Sequence, residues 1–424
     1  MNKGSLILIV LSMFCSSSGA QGIRNLQKTF LETEYFFLNE DYQDALPFYL
    51  QLYKKIPDNA NLAYRIGTCY LNIPGKKDMA IDYLETASKN MTVNHREGSI
   101  KEKAAPFDAL YYLGKAYLIN YHFDKAREAF NSYSRSLHPD DLENLDFIKH
   151  EIEACLKAAE IIAKPVTYVK ENMGKIFNDE NSNYNPVISA DGKSFAYMVS
   201  LKFYDAIMFS RYVDGMWTVP VNITPGIELD GKIYLSCLSS DGKILFISKN
   251  DDKNSDIYTS TFDGNSWSKA VDAGKHINTV FWESHAFISE DGNQIIFSSD
   301  RPGGFGGLDL YISRKVNGTW SPAVNLGEEI NNRVNEDRAF LVNNGSTLFF
   351  SSQGHQTIGG YDIFRSDLQA NGKWSVPENL GFPLNTPDDN IFFMPTGKGN
   401  SGYYSIYEES EGLGKEDIYK ITLE

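Results

Sequence analysis

The sequence predicts a multidomain α plus all-β protein, with a helical-repeat domain at residues 23–163 followed by a five-bladed β-propeller at residues 164–424. Three observations predict this fold class. A unit of about 50 residues recurs five times toward the C-terminus. Each unit consists of short apolar segments separated by turn residues, whereas apolar residues in the N-terminal part recur at helical spacing. A long period built from short strands is typical of a propeller with one blade per unit.

The clearest mark of the unit is a Ser-x-Asp-Gly turn, at residues 189–192, 239–242 and 289–292. The fourth and fifth copies are degenerate, at 343–345 and 395–397. Glycine permits positive φ and aspartate caps its own backbone, so the motif predicts a tight turn between two strands. Two more features recur. One is an Asp before an apolar pair, at Asp205, Asp256, Asp309, Asp362 and Asp417. The other is a Trp that closes four of the copies, at Trp217, Trp267, Trp320 and Trp374.

The third unit shows how one blade is built. Four strand-like segments follow one another, at residues 285–288, 294–299, 310–313 and 320–326. The glycine-rich loop at 303–307 lies between two of these strands and not before a helix, which favours a blade-to-blade turn over a phosphate cradle. Because an aspartate recurs at one position in every unit, we expect it to stabilise the turn of its own blade.

The fifth unit lacks its outer strand, because the sequence ends at Glu424 without the Gly-x-Trp segment. A strand-like run at residues 166–169 precedes the first unit and belongs to no other element. We expect this run to pair with the strand at 417–422 and close the ring. Closure removes an exposed strand edge that would otherwise promote aggregation.

Residues 23–163 contain a second repeat. Leu113-Gly114, Tyr117, Ala126 and Phe130 follow the tetratricopeptide pattern. A second copy comes earlier, marked by Gly67, Tyr70, Ala80 and Leu84. A first, weaker copy is marked by Tyr42, Ala45, Tyr49 and Pro57. The polar run at 94–99 is the extra loop between copies, and the helix at 142–163 caps the stack. The pattern therefore predicts an α-solenoid.

In such a solenoid the first helix of each pair lines the concave side. Counting from the glycine positions predicts a groove of mixed aromatic and polar character, formed by Phe30, Glu34, Phe37, Asn61, Tyr64, Thr68, Asp108, Tyr111 and Lys115. Such a mixture suits peptide binding. The alternative is that the aromatic side chains only pack helix against helix, and the sequence leaves both interpretations open.

The N-terminus has the pattern of a secretory signal peptide at residues 1–20: Lys3, an apolar core at 6–11 and small residues up to Ala20. We expect cleavage after Ala20 and an exported protein. The alternative is lipidation of Cys15, although Phe14 before it is bulkier than lipoprotein processing prefers. No later segment is long and apolar enough to form a transmembrane helix.

The composition argues against nucleic acid as a partner, because a formal net charge of −15 repels polyphosphates. Cys69, Cys155 and Cys237 follow the leader, and an odd, sparse set predicts small buried hydrophobic residues and not a disulfide framework. No catalytic motif or spaced metal-ligand pair occurs, so we expect no enzymatic activity, no cofactor and no metal. The acidic turn at 250–256 is a possible calcium loop, although a solvated turn suits its spacing better.

The inner strands predict a second binding surface. Aligning the units on their turns places two columns of residues at the start of these strands, and therefore at one mouth of the central channel. The polar members, from the last three units, are Glu283, His285, Glu336, Arg338, Asp388 and Asn390. A channel mouth of uneven polarity suits docking of a partner, and an ordinary hydrated rim is the alternative.

Both halves, in this order, resemble envelope proteins of the Bacteroidota that join tetratricopeptide repeats to a WD40-like (PD40) propeller. The matching residues are Ser298–Tyr311 with the segment 320–327, and Gly359–Ile363 with 374–381. Many of these relatives continue into an OmpA-like peptidoglycan-binding domain, and some belong to type IX secretion. Since the sequence stops at Glu424 before any such domain, direct peptidoglycan binding is not expected.

The resemblance implies a non-enzymatic scaffold that contacts envelope proteins in the periplasm, at the outer membrane, as a component or accessory of a type IX-like secretion or assembly system. The alternative is a glycan- or peptide-binding propeller. That alternative requires an aromatic platform at the channel mouth, and the two mouth columns contain neither Trp nor Tyr.

Overall fold

A computed structural model describes residues 25–251, 254–408 and 412–424. The chain divides into two compact units, Met1–Cys155 and Leu156–Glu424. The expected signal peptide, its cleavage site and Cys15 lie outside the described residues. The same holds for residues 252 and 253 of the acidic turn.

The first unit is a stack of helices, in which the five consecutive helices from Tyr42–Lys55 to Phe123–Ser134 each contact the next in sequence. A short 3-10 helix, Lys77–Met79, leads into the fourth. The α-helices are α1 (25–38), α2 (Tyr42–Lys55), α3 (Ala60–Leu71), α4 (Ala80–Ala87), α5 (Asp108–Ile119), α6 (Phe123–Ser134) and α7 (Leu142–Ile162).

The two glycines of the helical repeat mark close approaches between paired helices. A Cβ atom at Gly67 in α3 would lie 2.5 Å from Leu84 Cγ in α4. A Cβ atom at Gly114 in α5 would lie 2.5 Å from Phe130 in α6. Only glycine permits this spacing, so the residues that define the sequence repeat are also the ones that bring each pair of helices together.

The second unit is a five-bladed propeller, as the sequence predicts. Each blade is an antiparallel sheet, and its first strand is innermost. The strands of blade 1 are β2 (Asn183–Ile188), β3 (Ser194–Ser200), β4 (Asp205–Val213) and the short β5 (Met216–Trp217) and β6 (Val221–Asn222); those of blade 2 are β7 (Lys232–Leu238), β8 (Ile244–Asn250), β9 (Ser255–Thr261) and β10 (Val271–Asp272). A single helical turn, α8 (Thr224–Ile227), connects the two blades.

The remaining blades repeat the order. Blade 3 has β11 (Glu283–Ile288), β12 (Gln294–Ser299), β13 (Asp309–Val316), β14 (Thr319–Trp320) and β15 (Val324–Asn325); blade 4 has β16 (Glu336–Val342), β17 (Thr347–Ser352), β18 (Asp362–Asp367) and β19 (Glu378–Asn379); blade 5 has β20 (Phe393–Thr396), β21 (Ser401–Ile406), β22 (Asp417–Leu423) and, as its outer strand, β1 (Tyr168–Asn172).

The ring is closed by β1, which pairs antiparallel with β22 in a register from Tyr168 opposite Leu423 to Asn172 opposite Tyr419. The predicted closure is therefore confirmed, although the strand begins two residues later than the run 166–169. Val166 instead donates its backbone N–H to the Phe382 carbonyl oxygen of blade 4 at 2.7 Å. Blades 1 and 5 also meet through Phe195 and Tyr403, whose ring centroids lie 5.2 Å apart.

The recurrent aspartates stabilise the loops of their own blades, as expected. Asp309 accepts hydrogen bonds from the backbone N–H groups of Phe305 and Gly306 at 2.6 and 3.1 Å. The glycine-rich loop then packs on the linker to the next blade, because a Cβ at Gly306 would lie 2.5 Å from the backbone carbon of Arg333. The loop connects β12 to β13 inside blade 3 and only contacts the linker to blade 4, so the prediction of a blade-to-blade turn is wrong.

Cys69, Cys155 and Cys237 are buried and unpaired, as the sequence predicts. Burial raises the pKa of each thiol to about 12, which keeps all three protonated at neutral pH. Within the described residues, no helix combines the length and the apolar character needed to cross a bilayer.

Candidate functional site: a cavity at the mouth of the propeller channel

The helical groove differs from the prediction. Four of its nine expected surface residues are buried, so their expected exposure is wrong: Phe30, Glu34, Asn61 and Thr68. The reason is an internal ion pair. Arg65 forms a bidentate pair with Glu34, and Tyr49 donates its hydroxyl to the same carboxylate. Arg65 also lies 5.4 Å from the centroid of the Phe30 ring, so the cluster is an interior polar network of the helices.

A segment of the chain's own loop covers these helices. Gln27 of α1 donates its amide to the Gly98 carbonyl oxygen at 2.8 Å and accepts the Ile100 N–H at 3.0 Å. His95 Nε2 lies 2.9 Å from Asn61 Oδ1 in α3. Ile100 is buried. The loop between α4 and α5 therefore occupies the first-helix side, where the sequence predicts an open groove.

The other predicted groove residues lie mainly in helix packing. Tyr111 contacts a cluster of rings from α5, α6 and α7: Tyr112, Phe130, Tyr133 and Phe147. Tyr64 packs edge-on against Tyr112, and Phe37 packs against Tyr49. Lys115 pairs with Glu151 of α7 at 3.3 Å, while the exposed Asp108 accepts the Tyr133 hydroxyl at 2.9 Å. These aromatic side chains therefore pack helix against helix, which is the alternative to a peptide-binding groove.

At the channel mouth, Glu283 and Glu336 hold the loops that precede their strands. Glu283 accepts hydrogen bonds from Thr279 N and Oγ1, both at 2.7 Å, and pairs with Arg301 at 3.0 Å. Glu336 accepts hydrogen bonds from Asn332 N at 2.8 Å and Nδ2 at 2.6 Å. Both side chains are fully buried, so they are loop anchors and not the solvent-facing rim that the sequence predicts.

The predicted alignment of the fifth blade is wrong by two residues. Asn390 accepts the Thr386 N–H at 2.6 Å, so it takes the anchoring place of Glu283 and Glu336. Asp388 consequently lies in the preceding loop. Two residues beyond Asn390 comes Phe392, the equivalent of His285 and Arg338. The error arises because the degenerate turn at 395–397 follows a shorter inner strand, β20.

The correct ring of channel residues is Asn185, Leu235, His285, Arg338 and Phe392. The pairing of the inner strands with their neighbours shifts register in blades 1 to 4 next to this ring. Asn185 and Arg338 have positive φ angles of 48° and 55° there. Such bulges re-aim side chains and are frequent beside binding sites.

A cavity of about 250 Å³ opens at this mouth between blades 2, 3 and 4. Its wall contains His285 and Arg338, which are predicted at the mouth, and Leu235 from the same column. It also contains residues that the sequence pattern does not place at the mouth: Tyr234, Ser248, Asn250, Trp282, Ser284, Leu308 and Asp337.

His285 is buried in the cavity wall between the rings of Phe340 and Phe392, at centroid distances of 4.9 and 5.5 Å. Its Nε2 lies 3.1 Å from the Ser236 carbonyl oxygen. Its Nδ1 is buried and has no hydrogen-bond partner among the described residues. Burial, with a contribution from Arg338, lowers the pKa of His285 to about 3, so the ring is neutral at physiological pH.

Asp337 holds the neighbouring wall together. Its Oδ1 accepts hydrogen bonds from Ser284 Oγ at 3.0 Å, Ser298 Oγ at 2.7 Å and Arg338 N at 2.8 Å. Its Oδ2 accepts Arg338 Nε at 3.3 Å. Burial alone would raise the pKa of Asp337, but the Arg338 guanidinium and the hydrogen bonds from Ser298 Oγ and Arg338 N outweigh it, and the pKa is lowered. The carboxylate is therefore ionised and fixes the Arg338 side chain.

Trp282 and Tyr234 are half-buried aromatic side chains in the cavity wall, whereas the two predicted mouth columns contain neither Trp nor Tyr. A signal for Trp282 does exist in the sequence. Four of the five tryptophans close a repeat, and Trp282 is the exception. Tyr234 and Asp337 could not be found by counting alternate residues, because the register shifts break the alternation of the inner strands.

No family model matches this sequence, and no curated protein sequence matches it either. Among solved structures, the chain is similar to TolB from Acinetobacter baumannii, with a TM-score of 0.37, 19% identity and coverage of 57% of this chain. The match spans 55% of that TolB chain. The chain is also similar to a putative TolB from Agrobacterium tumefaciens, with a TM-score of 0.36, 18% identity and coverage of 58% of this chain and 78% of that chain. A third similar structure is an α-L-arabinofuranosidase from Lactobacillus brevis, with a TM-score of 0.38, 13% identity and coverage of 57% of this chain and 91% of that chain.

Proposed function

We propose that this protein is a non-enzymatic scaffold that binds other proteins through the cavity face of its propeller. The cavity face consists of the loops before the inner strands and the loops between second and third strands, which antiparallel topology places at one end of the channel. The observation that supports the proposal is a set of exposed apolar side chains on this face, next to the polar cavity.

Two of these side chains flank cavity residues in the chain. Val280 is 85% exposed and precedes Trp282 by two residues. Phe305 is 49% exposed and precedes Leu308 by three. Phe203, in the corresponding loop of blade 1, is 86% exposed. Large apolar side chains around a polar centre are characteristic of protein-binding surfaces, in which a few aromatic contacts provide most of the binding energy.

We further propose that the protein works in the cell envelope, in the periplasm at the outer membrane, and that its helical repeats are of the tetratricopeptide type. The signal-peptide pattern at residues 1–20 and the residues shared with the envelope family support this placement. A role in a type IX-like secretion or assembly system is the specific form of the proposal. Mass spectrometry of the mature N-terminus from native envelopes tests the export step, because an acylated Cys15 would replace cleavage after Ala20.

The binding proposal is tested by charge substitution on the cavity face. A Val280→Asp, Phe305→Asp double variant should reduce recovery of cross-linked envelope partners roughly ten-fold or more, because each aspartate would have to be desolvated in the interface. The matched control is Val219→Asp, Val376→Asp, at two positions that are each 80% exposed but lie between a closing Trp and an outer strand. Equal recovery for the two double variants would contradict docking at this face.

A glycan-binding propeller is the second candidate function, and Trp282 and Tyr234 in the cavity wall support it. Aromatic faces bind the apolar faces of sugar rings, and the neighbouring Asn250 and Ser248 offer polar groups. Titration with soluble envelope oligosaccharides, followed by tryptophan fluorescence, tests this function. Trp282→Phe should abolish the fluorescence change, whereas Trp320→Phe should retain it.

A further inference from the structure

We propose that the cavity binds the C-terminal carboxylate of a peptide chain, with Arg338 binding the carboxylate and His285 accepting a hydrogen bond from the last peptide N–H. This inference rests on the proposed function and specifies the chemistry of the partner segment that enters the cavity. It follows from which polar atoms of the cavity wall already have hydrogen-bond partners within the protein and which atoms remain for a ligand.

His285 provides an acceptor. The Ser236 carbonyl oxygen can only accept a hydrogen bond, so the Nε2 atom that lies 3.1 Å from it must bear the ring proton. In the neutral ring, Nδ1 is then a lone-pair acceptor. This acceptor is buried and has no partner among the described residues, a state that is costly unless a ligand supplies a donor.

Arg338 provides the cation. Its Nε is bonded to Asp337, and the guanidinium lies 5.7 Å from the centroid of the Phe392 ring. The side chain remains 19% exposed at the cavity. With Nε held by Asp337, the terminal Nη atoms are the donors that remain for a ligand. A guanidinium edge is well matched to a carboxylate, which it binds in two parallel hydrogen bonds.

Asp337 determines which charge the cavity can accept. Its Oδ1 already accepts three hydrogen bonds, and its Oδ2 is bonded to Arg338. A ligand amine would therefore find no unsatisfied carboxylate at Asp337 and would face the Arg338 cation. A ligand carboxylate finds the cation oriented and partly desolvated. The wall thus selects an anion with a neighbouring donor.

The size of the cavity agrees with a chain end. At about 250 Å³ it is smaller than the roughly 300–1,000 Å³ typical of sites for drug-sized ligands. One terminal residue fits, while the rest of the partner can lie on the exposed apolar side chains at the rim. Tyr234 and Trp282 provide apolar walls for the terminal side chain.

The test is isothermal titration calorimetry on the full chain with three probes: N-acetyl-Ala-Ala with a free carboxylate, the same peptide as its C-terminal amide, and glucuronate. We expect the acid to bind and the amide to bind at least about ten-fold more weakly, as for loss of one charge-assisted hydrogen bond. Glucuronate has a carboxylate next to a hydroxyl donor, so it identifies an acidic sugar as the source of the same chemistry.

Four variants assign the contacts. Arg338→Gln should weaken binding of the acid at least about ten-fold, and Arg338→Lys should restore only part of it, because the ammonium lacks the planar fork. His285→Phe keeps the ring between Phe340 and Phe392 but removes the acceptor, and it should weaken binding several-fold. His285→Gln keeps both a donor and an acceptor and should restore part of the loss. Thermal melts confirm that each variant is folded.

Arg365→Gln is the matched control, because Arg365 also pairs with an adjacent aspartate, Asp367, but does not line the cavity. It should leave binding unchanged. The proposal is overturned if acid and amide bind equally, if only glucuronate binds, if none of the probes binds, or if Arg338→Gln in a folded protein has no effect. The proposed docking function does not depend on these outcomes, because the Val280→Asp, Phe305→Asp experiment tests it independently.

Discussion

Asn172 donates its side-chain amide to the Asp417 carboxylate at 2.9 Å and so joins the first strand of the propeller to the last. The same pair occurs within single blades, as Asn325 with Asp309 and Asn379 with Asp362, each at 2.7 Å. A second asparagine completes each set, with Asn178, Asn331 and Asn385 bonded to the first at 2.8 to 2.9 Å. The closing strand therefore repeats the side-chain chemistry of an ordinary outer strand.

Asn172→Ala should destabilise the propeller as much as Asn379→Ala does. Each substitution removes a hydrogen bond to an aspartate side chain, worth roughly 0.5–3 kcal/mol in the free energy of unfolding according to the charge of that side chain. Urea denaturation followed by tryptophan fluorescence measures both. A much smaller effect for Asn172→Ala than for Asn379→Ala would show that closure adds little to stability.

Deleting residues 164–172 should lower the melting temperature of the whole propeller. The deletion removes β1, exposes the edge of β22 and leaves Asp417 without Asn172. Differential scanning calorimetry of the full-length and deleted chains gives the comparison. A propeller transition at an unchanged temperature would refute this role of β1.

The stability of the propeller should fall as the pH rises through about 7 to 8. Burial raises the pKa of Asp362 to about 7 and that of Glu336 to about 8, well above the values of unfolded chains. Protons bound to these groups in the folded state stabilise it fully below about pH 4, and this contribution is lost as the pH passes the raised values. Each of the two groups should contribute up to a few kcal/mol to the decline, on the order of 1.4 kcal/mol for each unit of pKa difference.

Urea titrations between pH 5 and pH 8.5 measure this decline. Asp362→Asn and Glu336→Gln should each flatten it, because neither amide has a proton that titrates in this range. Asp291→Asn is the control: hydrogen bonds from Ser289 and Asn293 lower the pKa of Asp291, so this change should leave the decline intact. A flat stability profile in the unmodified protein would contradict the protonated state of the two buried carboxyl groups.

Gln27→Ala should release the loop that covers the first helices. The substitution removes both hydrogen bonds to residues 98 and 100. Hydrogen exchange of residues 94–104 should accelerate by roughly ten-fold, while exchange in α5 and α6 should change little. Gln51→Ala, an exposed change on α2, is the control. If loop exchange is the same in both variants, other contacts hold the loop in place.

Local sequence determined much of this fold. The Ser-x-Asp-Gly turns and the recurrent Asp309 and Asp362 make hydrogen bonds inside their own blades, so a repeat in sequence becomes a repeat in structure. Gly67 and Gly114 likewise bring together helices that are neighbours in the chain. Ring closure could also be predicted from the sequence. The last unit lacks an outer strand and an unassigned strand precedes the first unit, so the simplest arrangement is that this strand completes the last blade.

Only the tertiary structure decided which side chains are available for binding. Glu34 and Arg65 lie on different helices and become an internal pair because a distant loop covers them. The alignment of the repeats places His285 and Arg338 at the channel mouth. Their environment, however, depends on Asp337 and Trp282, and strand alternation does not place these two residues at the mouth. The inner strands shift register, and three blades pack around one cavity. Both features depend on residues that are far apart in the chain, so a local sequence pattern does not predict them.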